Sequence, residues 1–209
     1  MTQMKRIAFL VSGNGTNAEN LIKEIKAGRV PDAEARLVIS DNPLAAALKK
    51  AAKLGVEAVV IDRKKYPSKP GFEAAIKHEL EDRDIDLIAL AGFMRVLSGD
   101  FVRHFAGKII NIHPSLLPAF PGVHGIREAF EAKIQETGVT VHFVDEGVDT
   151  GPLIVQKKIP VDARETLETL EAKIHAAEYQ LYPEALRLVI SGNVRLPRHH
   201  HDDEFWTKD

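Results

Sequence analysis

The 209-residue chain has no cysteine. Disulfides, a thiolate nucleophile and cysteine-ligated zinc or iron–sulfur centres are therefore excluded, and a cytoplasmic setting is the expectation for such a composition. Long apolar runs are missing as well. Nothing approaches the roughly twenty residues that span a bilayer, so no membrane partner is expected. Lys5-Arg6 ahead of Ile7-Ala8-Phe9-Leu10-Val11 imitates the start of a signal peptide, but Ser12-Gly13-Asn14-Gly15 ends the run too early for one. Nor is there an excess of one charge. With 28 Lys plus Arg against 30 Asp plus Glu the net charge is -2, which gives no electrostatic basis for a nucleic-acid partner and leaves small polar substrates as the expected ligands. What the chain does have is apolar mass: 44% hydrophobic residues at this length bury a proper core, as one domain or two closely fused halves.

Strand-like and helix-like stretches alternate, with no internal repeat. Arg6 to Val11 reads as a buried strand and Thr16 to Ala27 as a helix carrying Ala18, Leu21, Ile22 and Ile25 on one side, closed by Gly28. The unit recurs as a strand from Ala35 to Ser40, a helix from Leu44 to Leu54 ended by Gly55, and a strand from Val56 to Ile61. A turn region from Pro67 to Gly71 leads to a helix ending near Arg83, then to a strand over Asp86 to Leu90 and a turn at Gly92. Ser98 caps a further short helix ahead of the Ile109 strand. Gly138 to Val144 and Leu153 to Val161 are strands joined by a loop short enough for an antiparallel return, and Arg164 to Ile190 is a long closing helix. The pattern is α/β: a Rossmann-like, mostly parallel twisted sheet with helices on both faces and an antiparallel C-terminal extension. Residues 1–192 form a single domain, with halves at about 1–105 and 106–192, and 193–209 is a polar, mobile tail rich in His and Asp.

Two stretches carry chemistry. The first strand runs straight into Ser12-Gly13-Asn14-Gly15-Thr16-Asn17-Ala18, where glycines let backbone approach a ligand and the free N–H groups of a helix start attract phosphate. The same residues satisfy G-x-G-x-x-A, and Asp41 at the end of the second strand is placed to bind a ribose, so a dinucleotide reading stays open. They also serve as a tight strand-to-helix turn with no ligand at all. The lysine and Ser/Thr of a nucleoside-triphosphate loop are missing.

The second stretch is Asn111-Ile112-His113-Pro114-Ser115-Leu116-Leu117-Pro118, followed by Asp145-Glu146-Gly147-Val148-Asp149-Thr150-Gly151-Pro152. Pro114 stops the preceding strand because it has no ladder donor, so His113 falls at a strand end, on the same face as Asn111 and opposite Ile112. An amide donor beside a titratable ring suits a reaction that builds negative charge on a carbonyl oxygen. Alone, a strand-end histidine is more often structural and Asn111 serves equally as a loop cap; the later Asp149 loop tips both toward catalysis. A loop-ordering Asp149 that bonds its own backbone near Gly151 is the competing account of that residue. His142, within a strand pattern, reads as a satisfied core histidine. His78 and His104 read as surface residues, and His199, His200 and His201 as part of a solvated tail.

Ser12–Asn17, Leu90–Leu97, Asn111–Pro118 and Asp149-x-Gly151-Pro152 occur in the order and spacing of the phosphoribosylglycinamide formyltransferase family, which the chain closely resembles from about Lys5 to Val189. The resemblance implies transfer of a formyl group from 10-formyltetrahydrofolate to the amine of glycinamide ribonucleotide, an early step of purine synthesis, with no metal. It implies that Gly15, Thr16 and Asn17 hold the substrate phosphate while His175 and Glu178 meet its ribose and glycinamide portion. It implies further that Met94, Arg95, Val96 and Leu97, with Asp145, Glu146, Gly147, Val148 and Asp149, enclose the folate pterin, and that Lys69 lies near the folate tail. The first half of the chain then binds phosphate and the second holds folate and the catalytic groups. Asn111 would donate to the oxyanion, protonated His113 would stabilise it and supply a proton to the leaving nitrogen, and Asp149 would favour the charged ring and take the amine proton, directly or through water. Tyr179 stands beside Glu178 where the family often has His, and Gly125 and Ile126 fall where relatives vary. A methionyl-tRNA formyltransferase would add a C-terminal nucleic-acid-binding domain and a formyltetrahydrofolate deformylase an N-terminal regulatory one, and 209 residues leave room for neither.

Three other activities compete. A nicotinamide-dependent oxidoreductase explains the glycine loop and Asp41 but leaves the SLLP and DTGP blocks idle. A non-catalytic folate or nucleotide binder keeps the pocket without turnover, and a formyltetrahydrofolate hydrolase replaces the amine with water. The assembly state, with a homodimer among the options, is not set by the sequence.

Overall fold

The computed structural model describes residues 4–194 and 196. Its centre is one seven-stranded sheet in the order β3-β2-β1-β4-β5-β6-β7. Strands β1 (Lys5–Val11), β2 (Ala33–Ser40), β3 (Glu57–Val60), β4 (Leu87–Leu90) and β5 (Ile109–His113) run parallel. Strands β6 (Glu136–Phe143) and β7 (Leu153–Pro160) add antiparallel to β5. The expected α/β class, the mostly parallel sheet and the antiparallel C-terminal extension are all present.

Alternation along each strand divides the core in two. In β1, Ile7, Phe9 and Val11 face α1 (Thr16–Lys26), α2 (Ala46–Lys53) and the long α6 (Leu167–Ile190), whereas Ala8 and Leu10 face α3 (Lys69–Asp82) and α4 (Gly99–His104). Both faces are covered, so the central strands are apolar along their whole length rather than alternating with polar residues. Tyr182 of α6 is fully buried and donates its hydroxyl to the carbonyls of Leu90 (2.8 Å) and Ile110 (3.2 Å), which ties α6 to the ends of β4 and β5. Burial holds its phenol well above the ordinary tyrosine range.

The element boundaries differ from expectation where local hydrogen bonds override composition. The Pro67–Gly71 stretch is not a turn: Ser68 caps α3 by accepting from the Gly71 amide, and Pro70 is tolerated in the first turn, where its missing N–H has no partner to lose. Helix α2 starts two residues after Leu44, because the Asn42 side chain accepts from the Leu44 amide and Pro43 intervenes, leaving Leu44 exposed. Helix α6 begins at Leu167 behind the reciprocal Thr166–Thr169 cap rather than at Arg164. Ser98 caps α4, as the sequence indicates. A helix α5 (Gly125–Glu131), a single 3-10 turn at Arg63–Lys65 and a cis Leu117–Pro118 peptide are additions. Val194 and Leu196 pack against the main core; His199, His200 and His201 lie outside the described residues.

The fold fixes one place for a ligand. The chain winds outward from β1 to β2 and β3, then returns to place β4 on the other side of β1. At such a reversal the loops after the two adjacent strands diverge and open a crevice at their carboxyl ends. Here those loops are Ser12–Gly15 and Ala91–Leu97, and β5 delivers Asn111 and His113 to the same edge.

Candidate active site

The crevice holds two adjoining cavities. One, of about 370 Å³, is lined by Ser12 to Asn17, by Ala91 and by His175 and Glu178 of α6. The other, of about 270 Å³, is lined by Met94 to Leu97, by Asn111, His113 and His142, and by Asp145 and Gly147 to Asp149. Gly92, Met94, Ile112 and Pro114 border both, so ligands in the two cavities meet above the end of β5.

In the first cavity the backbone turns at Gly15, whose φ of 61° lies in the left-handed region. A Cβ there would fall 2.4 Å from the Cβ of Ala47, so glycine is required by helix packing. Ser12 accepts from the Met94 amide at 2.8 Å, joining the two loops. Glu178 is buried, accepts from Asn17 Nδ2 at 3.1 Å and lies 2.9 Å from His175 Nδ1. The Glu178 carboxylate raises the His175 pKa above its ordinary value, against the opposing effect of burial. Asn17 Oδ1 is buried, has no partner among the described residues and can accept from a ligand. Asp41 is not available to a ribose: its carboxylate is buried and paired with Arg95 Nε at 2.7 Å. The dinucleotide reading thereby loses its acidic residue.

In the second cavity Asn111, His113 and Asp149 converge. Asp149 Oδ1 lies 3.4 Å from Asn111 Nδ2, and Asp149 Oδ2 lies 3.4 Å from His113 Nδ1 while accepting from the Gly122 amide at 2.8 Å. His113 Nε2 is 2.7 Å from the carbonyl of Phe120, to which it donates. Both ring nitrogens therefore face acceptors, and a ring carrying a proton on each satisfies both. Burial pushes the Asp149 carboxyl up, but the Gly122 amide and the nearby His113 pull it down, and the carboxyl lies below its ordinary range.

The loop-ordering role belongs to a different aspartate. Asp145 accepts from the Gly147 amide at 3.0 Å and from the Thr150 hydroxyl at 2.7 Å, and so closes its own loop. Gly151 keeps that loop against β6, where a Cβ would lie 1.8 Å from the Phe143 carbonyl oxygen.

Two residues named from the sequence fall outside this arrangement. Glu146 turns away from the cavity to pair with Arg103. Lys69 lines neither cavity; it opens α3 and stands 3.9 Å from buried Glu73, which accepts from the Ser98 amide at the foot of the Leu97 wall. Conversely, His142 is buried and satisfied as expected, yet it belongs to the site. It pairs with Asn111 across β5 and β6 and brings Nε2 to 3.6 Å from Asp149 Oδ1. Gly125 is also at the site, since a Cβ there would stand 2.9 Å from the Phe120 oxygen and 3.2 Å from His113 Nε2.

The formyl transferase family model matches residues 5–186. The chain is 43% identical over 192 residues to a phosphoribosylglycinamide formyltransferase of Bacillus subtilis, covering 92% of this chain and 98% of that one. It is 45% identical over 195 residues to the trifunctional purine biosynthetic protein adenosine-3 of Gallus gallus, covering 93% of this chain but 19% of that longer one. The crystal structure of glycinamide ribonucleotide transformylase 1 from Geobacillus kaustophilus superposes with a TM-score of 0.87 at 47% identity, over 90% of this chain and 100% of that one. With a match over most of its length and this crevice at its centre, the chain belongs to the formyl transferase family, in the phosphoribosylglycinamide formyltransferase branch.

Proposed function

We propose that the chain transfers the formyl group of 10-formyltetrahydrofolate to the amine of glycinamide ribonucleotide, giving formylglycinamide ribonucleotide for purine synthesis. The observation that carries this reading is the pair of adjoining cavities, one built on a helix start and the other ending at Asn111, His113 and Asp149. The ribonucleotide phosphate is assigned to the backbone of Gly15, Thr16 and Asn17, where helix N–H groups favour an anion. Its ribose and glycinamide portion are assigned to Glu178 and His175, which direct the amine toward Pro114 and Ile112, where the cavities join. The pterin is assigned to the apolar wall of Met94, Val96 and Leu97 with Gly147 and Val148 opposite. Residues 1–192 then act as one unit in which both halves contribute to each substrate.

In this arrangement the amine nitrogen attacks the formyl carbon, a C–N bond forms, and the carbonyl electron pair moves to oxygen. Asn111 donates to the oxyanion. His113 stabilises the same charge from its Nε2 side, the formyl oxygen taking the place of the Phe120 carbonyl as acceptor. The amine proton passes to Asp149, directly or through water. The bond from carbon to the folate nitrogen breaks as that nitrogen takes a proton from His113, so protons balance between the two nitrogens. Holding both substrates across one crevice supplies the entropic share of the rate. The test is loss of formyltetrahydrofolate measured with and without glycinamide ribonucleotide. Turnover that depends on the ribonucleotide supports the proposal, and equal loss without it makes the chain a hydrolase.

A further inference from the structure

The register of β5 on β6 sets His142 directly opposite Asn111, and the residue is 2% exposed. His142 Nδ1 lies 2.8 Å from the backbone carbonyl of Phe143. A carbonyl only accepts, so Nδ1 carries the proton, and a neutral ring then offers its lone pair at Nε2. Asn111 Nδ2 stands 3.3 Å from that Nε2 and 3.4 Å from Asp149 Oδ1, and the two acceptors are themselves 3.6 Å apart. The three separations are nearly equal, so the acceptors subtend at Nδ2 about half the angle between the two N–H bonds of an amide. One N–H aimed between them serves both. That arrangement leaves the second N–H for an acceptor on the substrate.

We infer that His142 is a positioning residue for Asn111: its Nε2 lone pair fixes the rotation of the Asn111 amide and so aims the free N–H at the reacting carbonyl oxygen. The inference rests on the oxyanion role proposed for Asn111. A flipped amide would set its oxygen against a carboxylate oxygen and a lone pair at once, so the NH₂ group is held inward. Asp149 alone would also disfavour the flip. It would not hold the angle, because with a single acceptor the shared N–H turns to point straight at Asp149 Oδ1 and the free N–H swings off its target. An oxyanion donor acts by geometry, so this misdirection weakens catalysis without removing any group that touches substrate.

The test is a cycle of His142→Phe and Asn111→Ala, singly and together, with kcat, both KM values and the thermal midpoint measured for each. His142→Phe keeps a ring and removes the acceptor. It is expected to lower kcat by about tenfold, the middle of the range for directly coupled neighbours, with both KM values changed by less than about twofold. In the Asn111→Ala background the same substitution is expected to change kcat by less than about twofold. His142→Gln, whose side-chain oxygen reaches the place of Nε2, is expected to restore most of the rate. If His142→Phe does not fold, His142→Leu takes its place with the same readings. Equal losses from His142→Phe in both backgrounds, or no recovery with His142→Gln, would overturn the inference while leaving Asn111 as the oxyanion donor. A normal kcat for Asn111→Ala alone would remove the oxyanion role and the inference with it.

Discussion

Replacing Asp149 by asparagine tests the centre of the site with the least change of shape. The carboxylate serves three neighbours, the Gly122 amide at 2.8 Å, His113 Nδ1 at 3.4 Å and Asn111 Nδ2 at 3.4 Å, and lies 3.6 Å from His142 Nε2. An amide cannot serve all of them. If its oxygen takes the Oδ2 place, Gly122 keeps its acceptor but the new NH₂ group meets the NH₂ of Asn111. If the amide is reversed, NH₂ meets the Gly122 amide and the proton on His113 Nδ1. Either way the charge that favours a doubly protonated ring is gone. Loss of a positioned acid–base group costs about 10² to 10⁴ in rate, and complete loss of one oxyanion donor costs about 10² to 10³, which bounds what misdirecting Asn111 adds. The two losses share Asp149 and do not add, so the expected fall in kcat is about 10³, or roughly 4 kcal/mol of transition-state stabilisation.

The assay is steady-state formyl transfer at saturating concentrations of both substrates, with the thermal midpoint measured on the same preparations. Both KM values are expected to stay near those of the wild type. The stability comparison has a sign of its own. Because the folded Asp149 carboxyl titrates below its ordinary value near 3.8, its charge contributes stability that is fully present above that pH and is lost as pH falls through the lower folded value. The variant has no such loss, so the two proteins should converge in stability in acid. A variant with near-normal kcat and a raised KM for the folate would make Asp149 a loop-ordering residue and refute the reasoning.

His113→Ala is expected to lower kcat by about a hundredfold or more, with modest change in either KM, and near-normal turnover by a stable variant would demote the residue to structure. Gly15→Val places a β-branched side chain at φ 61° and 2.4 Å from Ala47 Cβ, so a fall in unfolding free energy of about 2–4 kcal/mol is expected in a denaturant titration, alongside weakened ribonucleotide binding; unchanged stability would mean that α1 and α2 pack differently. Glu178→Gln removes the main cause of the raised His175 pKa. A raised histidine stabilises the fold fully below its ordinary value near 6.5 and loses that contribution as pH rises through the folded value, so the wild type's advantage in thermal midpoint should be larger at about pH 6 than at about pH 8.5. An advantage independent of pH would contradict the pairing of His175 with Glu178.

What the sequence discloses about this site depends on how far each contact reaches along the chain. The strands and their order of appearance follow from continuous apolar runs, and the shared face of Asn111 and His113 follows from the two-residue period of β5, with Ile110 and Ile112 packed on the opposite face. Helix starts are less legible, because Ser68 at α3 acts through one side-chain hydrogen bond and the Thr166–Thr169 pair at α6 through a reciprocal pair, neither of which composition exposes. Lys69 and Glu146 illustrate a different gap. Each is adjacent in sequence to residues near the pocket, but partner choice decides direction: Glu73 draws Lys69 along α3, and Arg103 draws Glu146 off the pocket loop.

His142 is the residue that sequence reasoning had least means to place. Its strand could be read, its face could be counted from Val139 and Val141, and its burial could be expected, yet all three hold equally for a core histidine. Only the register of an antiparallel pairing, with Asn111 opposite His142 and His113 opposite Thr140, sets the ring beside the Asn111 amide. A slip of one residue would turn His142 into the apolar layer of Val141 and Phe143 and present a valine or phenylalanine to Asn111. The loop between β6 and β7 resists that slip, because Gly151 lies against the Phe143 carbonyl with no room for a side chain and the Phe143 amide donates to Pro152 at 2.9 Å. The glycine and proline that follow Asp149 therefore do more than turn the chain. They fix the position of β6, and through it the neighbour that Asn111 meets.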